Sequence, residues 1–267
     1  MANDWRSLVM PPEEALWELF HEGSKVSRYD PAVPTPVVLA RMAELWESFP
    51  YKGYPATELP KEPLVLDAPL GEVMKARATA RNLVPRRLSL REVATIFHFA
   101  YGITRDNKDS VFPRPFRTVP SGGGLYPIEL YFHTSQVEDL AAGLYHFSPI
   151  ENSVQLIREG DESRKLAEAL VQSQLALDSS LIVFLTAVFE RSTFKYGDRG
   201  YRFTLIEAGH IVQNMALTAA ALGLGAVPIG GFFDRPIDDL LGLDGLAQST
   251  VYMVGIGEDR PPIRPAE

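Results

Sequence analysis

The chain has 267 residues, 46% of them apolar, and a formal net charge of −8. It is long enough to bury a sizeable core and too acidic for a general nucleic-acid or membrane-surface binder. With no cysteine, disulfides, thiolate catalysis and Cys-ligated zinc are excluded, and Trp5, Arg6 and Glu13-Glu14 break up any secretory signal pattern, so a cytoplasmic protein is expected.

Residues 13–20 read as a short helix. Residues 31–69 carry Pro31, Pro34, Pro36, Pro50, Pro55, Pro60 and Pro63, so regular structure is expected there only around Val37–Phe49. Residues 1–69 thus form an N-terminal helix and a proline-rich arm, either wrapped over a surface or a partner subunit or hanging as a loose leader. Residues 70–267 form the globular body. Gly71 to Leu83 reads as a helix carrying Lys75, Arg77 and Arg81. Ser89-Leu90-Arg91-Glu92 is a capping box, Val93, Ile96, Phe97 and Ala100 continue at helical spacing, and Gly102 supplies the stop. His98 on this helix reads as a surface or core-margin side chain.

Residues 103–119 are polar and proline-broken, hence a loop. The run Pro120-Ser121-Gly122-Gly123-Gly124-Leu125-Tyr126-Pro127 lets backbone N–H groups approach a ligand, though a flexible surface loop explains it equally well. Ile128, Leu130 and Phe132 alternate with Glu129, Tyr131 and His133, the pattern of a half-buried strand. Leu144–Phe147 and Val154–Ile157 form a hairpin, Asp161 opens a helix to about Gln174, and Leu181–Phe189 is a strand buried on both faces. From Leu205 a helical stripe runs through Ala208, Val212, Met215, Ala219 and Leu222 to Gly223. Ala226–Ile229 is a strand, Gly230-Gly231 a turn, Pro236–Leu241 a short helix and Gln248–Gly255 the last strand, before an extended tail. Met215–Phe233 is apolar enough to mimic a membrane span, but Gly223, Gly225, Pro228, Gly230 and Gly231 break it. The whole reads as one α+β domain with a central sheet and a long buried helix.

Chemistry concentrates in Phe194-Lys195-Tyr196-Gly197-Asp198-Arg199-Gly200-Tyr201-Arg202. The chain has no P-loop, no complete G-x-G-x-x-G, no H-E-x-x-H and no G-x-S-x-G. What remains is an anion-binding set and a proton-transfer pair. Arg77 and Arg81 share a helix face at i, i+4, where an anion relieves their repulsion; an ordinary solvated face is the alternative. Lys195 and Tyr196 both ionise near pH 10 when unperturbed, and the positive charge of Arg199 and Arg202 favours tyrosinate and neutral lysine, which makes a base. A loop lysine beside a packing tyrosine is the plainer reading.

Together these segments resemble the nitroreductase superfamily, and within it the SagB-type dehydrogenases, FMN-dependent azoline oxidases. The resemblance rests on Leu19-Phe20-His21-Glu22-Gly23-Ser24-Lys25, Arg77-Ala78-Thr79-Ala80-Arg81, the glycine run 120–127, and Gly143-Leu144-Tyr145-His146-Phe147. Its strongest part is Lys195 to Arg202 running into Glu207-Ala208-Gly209-His210 and Gln213-Asn214; Ala221 to Gly225 and Ile229-Gly230-Gly231-Phe232 complete it. It implies a nitroreductase-like α+β fold, a central mixed or antiparallel sheet flanked by helices, in a domain-shared homodimer with FMN at the interface. Arg77, Thr79 and Arg81 would hold the phosphate and ribityl chain, with Arg260, or alternatively Arg264, as the C-terminal cation. Ser121, Gly122, Gly123 and Gly124 would reach the flavin from the other subunit, and Gly230 and Gly231 would line its ring. Lys195 and Tyr196 would remove a proton from a thiazoline or oxazoline, borne on a peptide or carrier, as hydride passes to the flavin. No metal is implied, and a cyclodehydratase or synthetase is the implied partner. A NAD(P)H-dependent nitro or quinone reductase of the same fold and a non-catalytic scaffold subunit are the alternatives.

Overall fold

In the computed structural model, which describes residues 15–260, the arm contributes α1 (Leu16–Gly23), α2 (Thr35–Glu44) and β1 (Ala56–Glu58). Then follow α3 (Leu70–Ala76), β2 (Leu83–Val84), α4 (Leu90–Tyr101), β3 (Ile103–Arg105), β4 (Phe116–Arg117), β5 (Ile128–Thr134), β6 (Gly143–Ser148) and β7 (Ser153–Glu159). The rest comprises α5 (Ser163–Ala169), α6 (Gln174–Asp178), β8 (Leu181–Val188), α7 (Glu190–Tyr196), α8 (Asp198–Ala221), β9 (Gly225–Ile229), α9 (Asp234–Leu241) and β10 (Gln248–Asp259).

The continuous apolar run explains β8: every residue is buried, because the strand lies inside the sheet with helices over both faces. The eight-stranded sheet runs β1-β7-β6-β5-β8-β10-β2, with β9 paired to β10, and its strand pairs are antiparallel. β5 departs from the half-buried expectation, since all seven residues are buried. Its Glu129 and His133 do not face solvent; they are covered and partnered.

Helix α8 is 24 residues long, about 36 Å at 1.5 Å per residue. Ala208, Ile211, Val212, Met215 and Ala219 bury against α4 and the sheet in the main core. Helix α4 starts with the capping box the sequence announces: the Ser89 side chain accepts from the Glu92 N–H, and Glu92 accepts from the Ser89 N–H. Among the described residues no helix is long and apolar enough to cross a membrane.

Three local expectations are corrected. The helix drawn from Gly71 to Leu83 stops at Ala76. Arg77 leaves it with ψ 119°, and Thr79 pairs with Ala226 while the Ala80 N–H donates to Ala226 O; pairing to β9 outweighs helix propensity. Arg77 and Arg81 therefore do not share a helix face. The helix expected over 161–174 is the shorter α5, which ends at Ala169, and α6 begins only at Gln174. Lys195 and Tyr196 lie not in a loop but in the last turn of α7, which ends at Gly197 with φ 54°.

The arm packs on its own chain. β1 pairs with β7, the Leu64 N–H donates to Thr95 Oγ1 at 2.8 Å, and Val38 and Met42 of α2 bury beside Leu125. Two buried guanidiniums fasten it further: Arg114 donates to Met42 O at 2.8 Å and Leu45 O at 3.1 Å, and Arg117 to Glu47 O at 2.9 Å. The start of the helix expected at Glu13 and the cation Arg264 lie outside the described residues.

Candidate active site

Two of the sequence-predicted groups meet at one place. Lys195 and Tyr196 project from the end of α7 toward the glycine run, whose Gly122–Gly124 forms a single 3-10 turn. A Cβ built on Gly123 would lie 2.7 Å from the Tyr196 hydroxyl and 2.9 Å from Lys195 Nζ, and Gly123 has φ +68°. The positive φ favours glycine here, and a side chain would have to displace the tips of Lys195 and Tyr196. Lys195 Nζ sits over the Phe112 ring at 4.7 Å and the Tyr196 ring at 5.1 Å. The Tyr196 ring meets Phe203 of α8 edge-on, centroids 5.0 Å apart. A cavity of about 550 Å³ opens beside the pair, between α7 and the arm, lined by Val26, Asp30, Val33, Phe194, Lys195 and Tyr196. Arg199 and Arg202, neighbours of the pair in sequence, grip the arm instead: Arg199 donates to Ser24 O at 2.9 Å and Arg202 to His21 O.

Beneath the glycine turn lies a carboxyl that the sequence reading quoted only as part of a motif. Glu207 is buried, and the Tyr101 hydroxyl donates to its Oε1 at 2.6 Å. Burial pushes this carboxyl up to about 7, against the hydroxyls of Ser121 and Tyr101 and the charges of Arg117 and Arg191, which favour the ionised form. Burial and the facing Glu207 keep the Tyr101 hydroxyl protonated. Arg117 lies over the Tyr101 and Tyr126 rings at 4.3 and 4.6 Å. The signal that finds Glu207 from sequence is a carboxylate four residues after Phe203 within an apolar helix; nothing local marks Tyr101 or Arg117.

The remaining predicted residues lie elsewhere. Thr79 and Ala80 sit against Ala226 at the start of β9. Asp259 accepts from the Arg81 and Asn82 N–H groups at 3.2 and 3.1 Å, and the Arg260 N–H donates to Asn82 O at 3.1 Å. Arg77, Thr79, Arg81 and Arg260 therefore cluster, with Arg260 also paired to Glu258 at 3.0 Å. Neither Arg77 nor Arg81 makes an ion pair among the described residues. Gly230 and Gly231 are exposed just past the far end of β9, about 17 Å along the strand from Gly225 at 3.3 Å per residue. This cluster adjoins the C-terminal end of α8, whereas Lys195, Tyr196 and Gly123 adjoin its N-terminal end. Within one copy of the chain the two groups lie toward opposite ends of α8, the glycine turn over Phe203 and the arginine segment beside Ala226, past the helix's C-terminal end. Along α8, Leu205 and Ile206 stay 40% and 54% exposed.

The chain was compared with known proteins. The nitroreductase family model matches residues 74–258. A Methanocaldococcus jannaschii protein named as a nitroreductase is 34% identical over 179 residues, 67% of this chain and 87% of that one. The microcin B17-processing protein McbC of Escherichia coli is 30% identical over 138 residues, 48% of this chain and 49% of McbC. The trifolitoxin-processing protein TfxB of Rhizobium leguminosarum is 27% identical over 174 residues, 63% of this chain and 47% of TfxB. The chain thus spans about half the length of these two processing proteins. Among solved structures, the Escherichia coli microcin synthetase McbBCD complex with truncated pro-MccB17 contains a chain that superposes with a TM-score of 0.60 and 23% identity, over 96% of both chains. At that identity the likeness concerns the fold.

Proposed function

We propose that this chain, which belongs to the nitroreductase family of oxidoreductases, is a dehydrogenase that oxidises a thiazoline or oxazoline to the aromatic azole on a peptide or carrier-bound intermediate. The observation that carries the reading is the convergence of Lys195 and Tyr196 on Gly123, a glycine at positive φ whose bare Cα leaves room for both side-chain tips. Simple nitro or quinone reduction needs no such base. The relatedness to two proteins named for processing microcin B17 and trifolitoxin supports the substrate class.

FMN is the cofactor of this family, and the residues present fit it. Arg77, Thr79 and Arg81, with Arg260 beside them, offer cations and a hydroxyl suited to a phosphate and ribityl chain. Gly230 and Gly231 present bare backbone at a distance a flavin ring can reach. Bound FMN supplies the hydride acceptor, with oxygen as the final oxidant. Ser121, Gly122, Gly123 and Gly124, together with Lys195 and Tyr196, would meet that flavin from a second copy of the chain, because α8 separates the two groups within one copy. The exposed Leu205 and Ile206 give the helix an apolar face for that homodimer. In this arrangement the Lys195–Tyr196 pair takes the ring proton, Gly123 leaves room for the ring, and Phe112 shields the lysine from water. A cyclodehydratase or synthetase partner would deliver the substrate in the cytoplasm.

The test is a visible spectrum of the purified protein, then anaerobic addition of NADPH and of a thiazoline-bearing peptide. The expected result is a flavin spectrum bleached by the thiazoline and not by NADPH, and a Lys195→Ala variant that keeps its colour but no longer bleaches. Bleaching by NADPH alone indicates a reductase; a colourless protein unable to take up FMN indicates a scaffold subunit.

A further inference from the structure

We infer that the cavity beside Lys195 and Tyr196 is a substrate subsite for a carboxylate carried close to the azoline ring, with Arg199 as the residue that recognises it. The inference rests on the proposed reading of Lys195 and Tyr196 as the base, and it narrows the substrate class of that site.

The cavity has two unlike walls. On the arm side Val26, Pro31, Ala32 and Val33 are apolar. Val33, Phe194 and Tyr196 pack against the buried cluster of Val38, Met42 and Leu125. On the helical side stand Lys195 and Arg199, one on each side of the break at Gly197 between α7 and α8. At about 550 Å³ the space has the size of a ligand pocket, with room for a five-membered ring and the group next to it.

The helical wall is fixed before any ligand arrives. A Cβ on Gly200 would lie 2.8 Å from the backbone C of Ser192 and N of Thr193, so the bare glycine lets the first turn of α8 pack directly on α7. Arg199 Nε donates to Ser24 O at 2.9 Å, and Ser24 is itself buried, its hydroxyl bonded to Phe20 O. With Nε committed, both Nη groups keep their donors: the guanidinium makes no further hydrogen bond and no ion pair among the described residues. Lys195 makes no ion pair among them either.

Asp30 is the opposing charge on the cavity. It is exposed, and its Oδ2 already accepts from the Ser27 N–H at 2.7 Å. Lys195 and Arg199 are half-buried, where charge is screened less than at the surface, so the cations set the sign of the pocket. A guanidinium with two free Nη groups holds a carboxylate through paired hydrogen bonds, and the apolar arm wall takes the hydrocarbon beside it. Two substrates bring a carboxylate there: an azoline with its own free carboxyl at a peptide C-terminus, and one with an acidic side chain next to the ring.

Equilibrium binding to the purified full-length protein tests this without turnover. The probes are three peptides ending in a thiazole, the aromatic product. One has Glu before the ring and an amidated end, one has Gln before the ring and a free carboxyl, and one has Gln and an amidated end. A charged probe should bind about 10–100-fold more tightly than the neutral one, the worth of a hydrogen-bonded charge, and which of the two does so identifies the source. Arg199→Gln should erase that difference. Arg202→Gln also releases an arm contact, the one to His21 O, but takes no charge from the cavity and should keep the difference. Asp30→Asn should widen it. In turnover of the matching thiazolines, Arg199→Gln should raise KM for the carboxylate substrate and not for the neutral one. Equal binding of the three probes, or loss of the difference in Arg202→Gln as well, would overturn the inference. Tighter binding of a charged thiazole to a protein that oxidises no thiazoline would instead reject the function and leave the subsite standing; turnover without charge preference would do the reverse.

Discussion

Glu129 and Glu207 are equally buried, each 2% exposed, yet their carboxyls behave in opposite ways. Burial pushes Glu129 up, but the Arg191 guanidinium and His146 outweigh it and hold the carboxyl at about 2. His146 Nε2 lies 2.7 Å from its Oε2, the Ser48 hydroxyl donates at 3.0 Å, and the Phe49 N–H donates to Oε1 at 3.1 Å. Arg191 meets it at 2.6 Å as an ion pair rather than a linear hydrogen bond. Glu207 has the neutral Tyr101 hydroxyl in contact and makes no ion pair among the described residues, so burial wins and the carboxyl rises to about 7. Depth alone does not decide the role of a buried acid; the charge and number of its immediate partners do. Glu129 is a permanent anion that ties the arm, through Ser48 and Phe49, to β5, β6 and α7. Glu207 titrates near neutrality beside the candidate base.

The largest break in this comparison is Glu129→Ala. It strands Arg191 and His146 in the interior and frees the arm, at a cost of about 3–5 kcal/mol. Thermal unfolding should show a midpoint lowered by on the order of 10 °C. The acid limb follows from the same group: a carboxyl lowered to about 2 contributes stability above its ordinary 4.5 that is lost as pH falls toward 2. Denaturant titrations between pH 5 and 2 should show this loss in the wild type and a flatter curve in Glu129→Gln.

Glu207 has the reverse sign. A carboxyl raised from 4.5 to about 7 favours the folded state fully below 4.5, and that contribution is lost as pH rises through 7. Glu207→Gln should therefore gain on the wild type by about 3 kcal/mol between pH 4.5 and pH 8. Equal pH curves for the two proteins would mean that burial does not shift Glu207, and a difference of opposite sign would place it in the same class as Glu129.

A third carboxylate sharpens the scale from the other side. Glu92 is only partly buried, with Arg86 and the Ser89 N–H as partners. Glu92→Ala should cost about 1 kcal/mol, the usual worth of a helix cap, with little dependence on pH above 5. Urea unfolding at two pH values measures it.

These three acids also mark what the sequence could reveal. Ser89-x-x-Glu92 is local, so its cap was legible, as were β8 from its apolar run and the glycine turn from its composition. Glu129 looked like the polar face of a half-buried strand because its partners Arg191, His146 and Ser48 lie far along the chain. Arg77 to Arg81 looked helical because nothing near them announces the pairing of Thr79 with Ala226. At the candidate site, Lys195-Tyr196 and the glycines were each legible, but their meeting at Gly123 is a tertiary fact, and Tyr101 and Arg117 carried no local signal at all.

The sheet's two margins limit how the protein can associate. Three-residue β1 covers the first half of β7, and the uncovered remainder carries Arg158 and Glu159. At the opposite margin, Thr79 and Ala80 occupy the outer side of β9 at Ala226, and the two residues of β2 close the end of β10. Short, charged or occupied borders leave no long row of bare N–H and C=O groups for a foreign strand. An extended peptide therefore finds little to extend by strand addition, and association is directed to the helical faces, where side chains rather than backbone decide what binds.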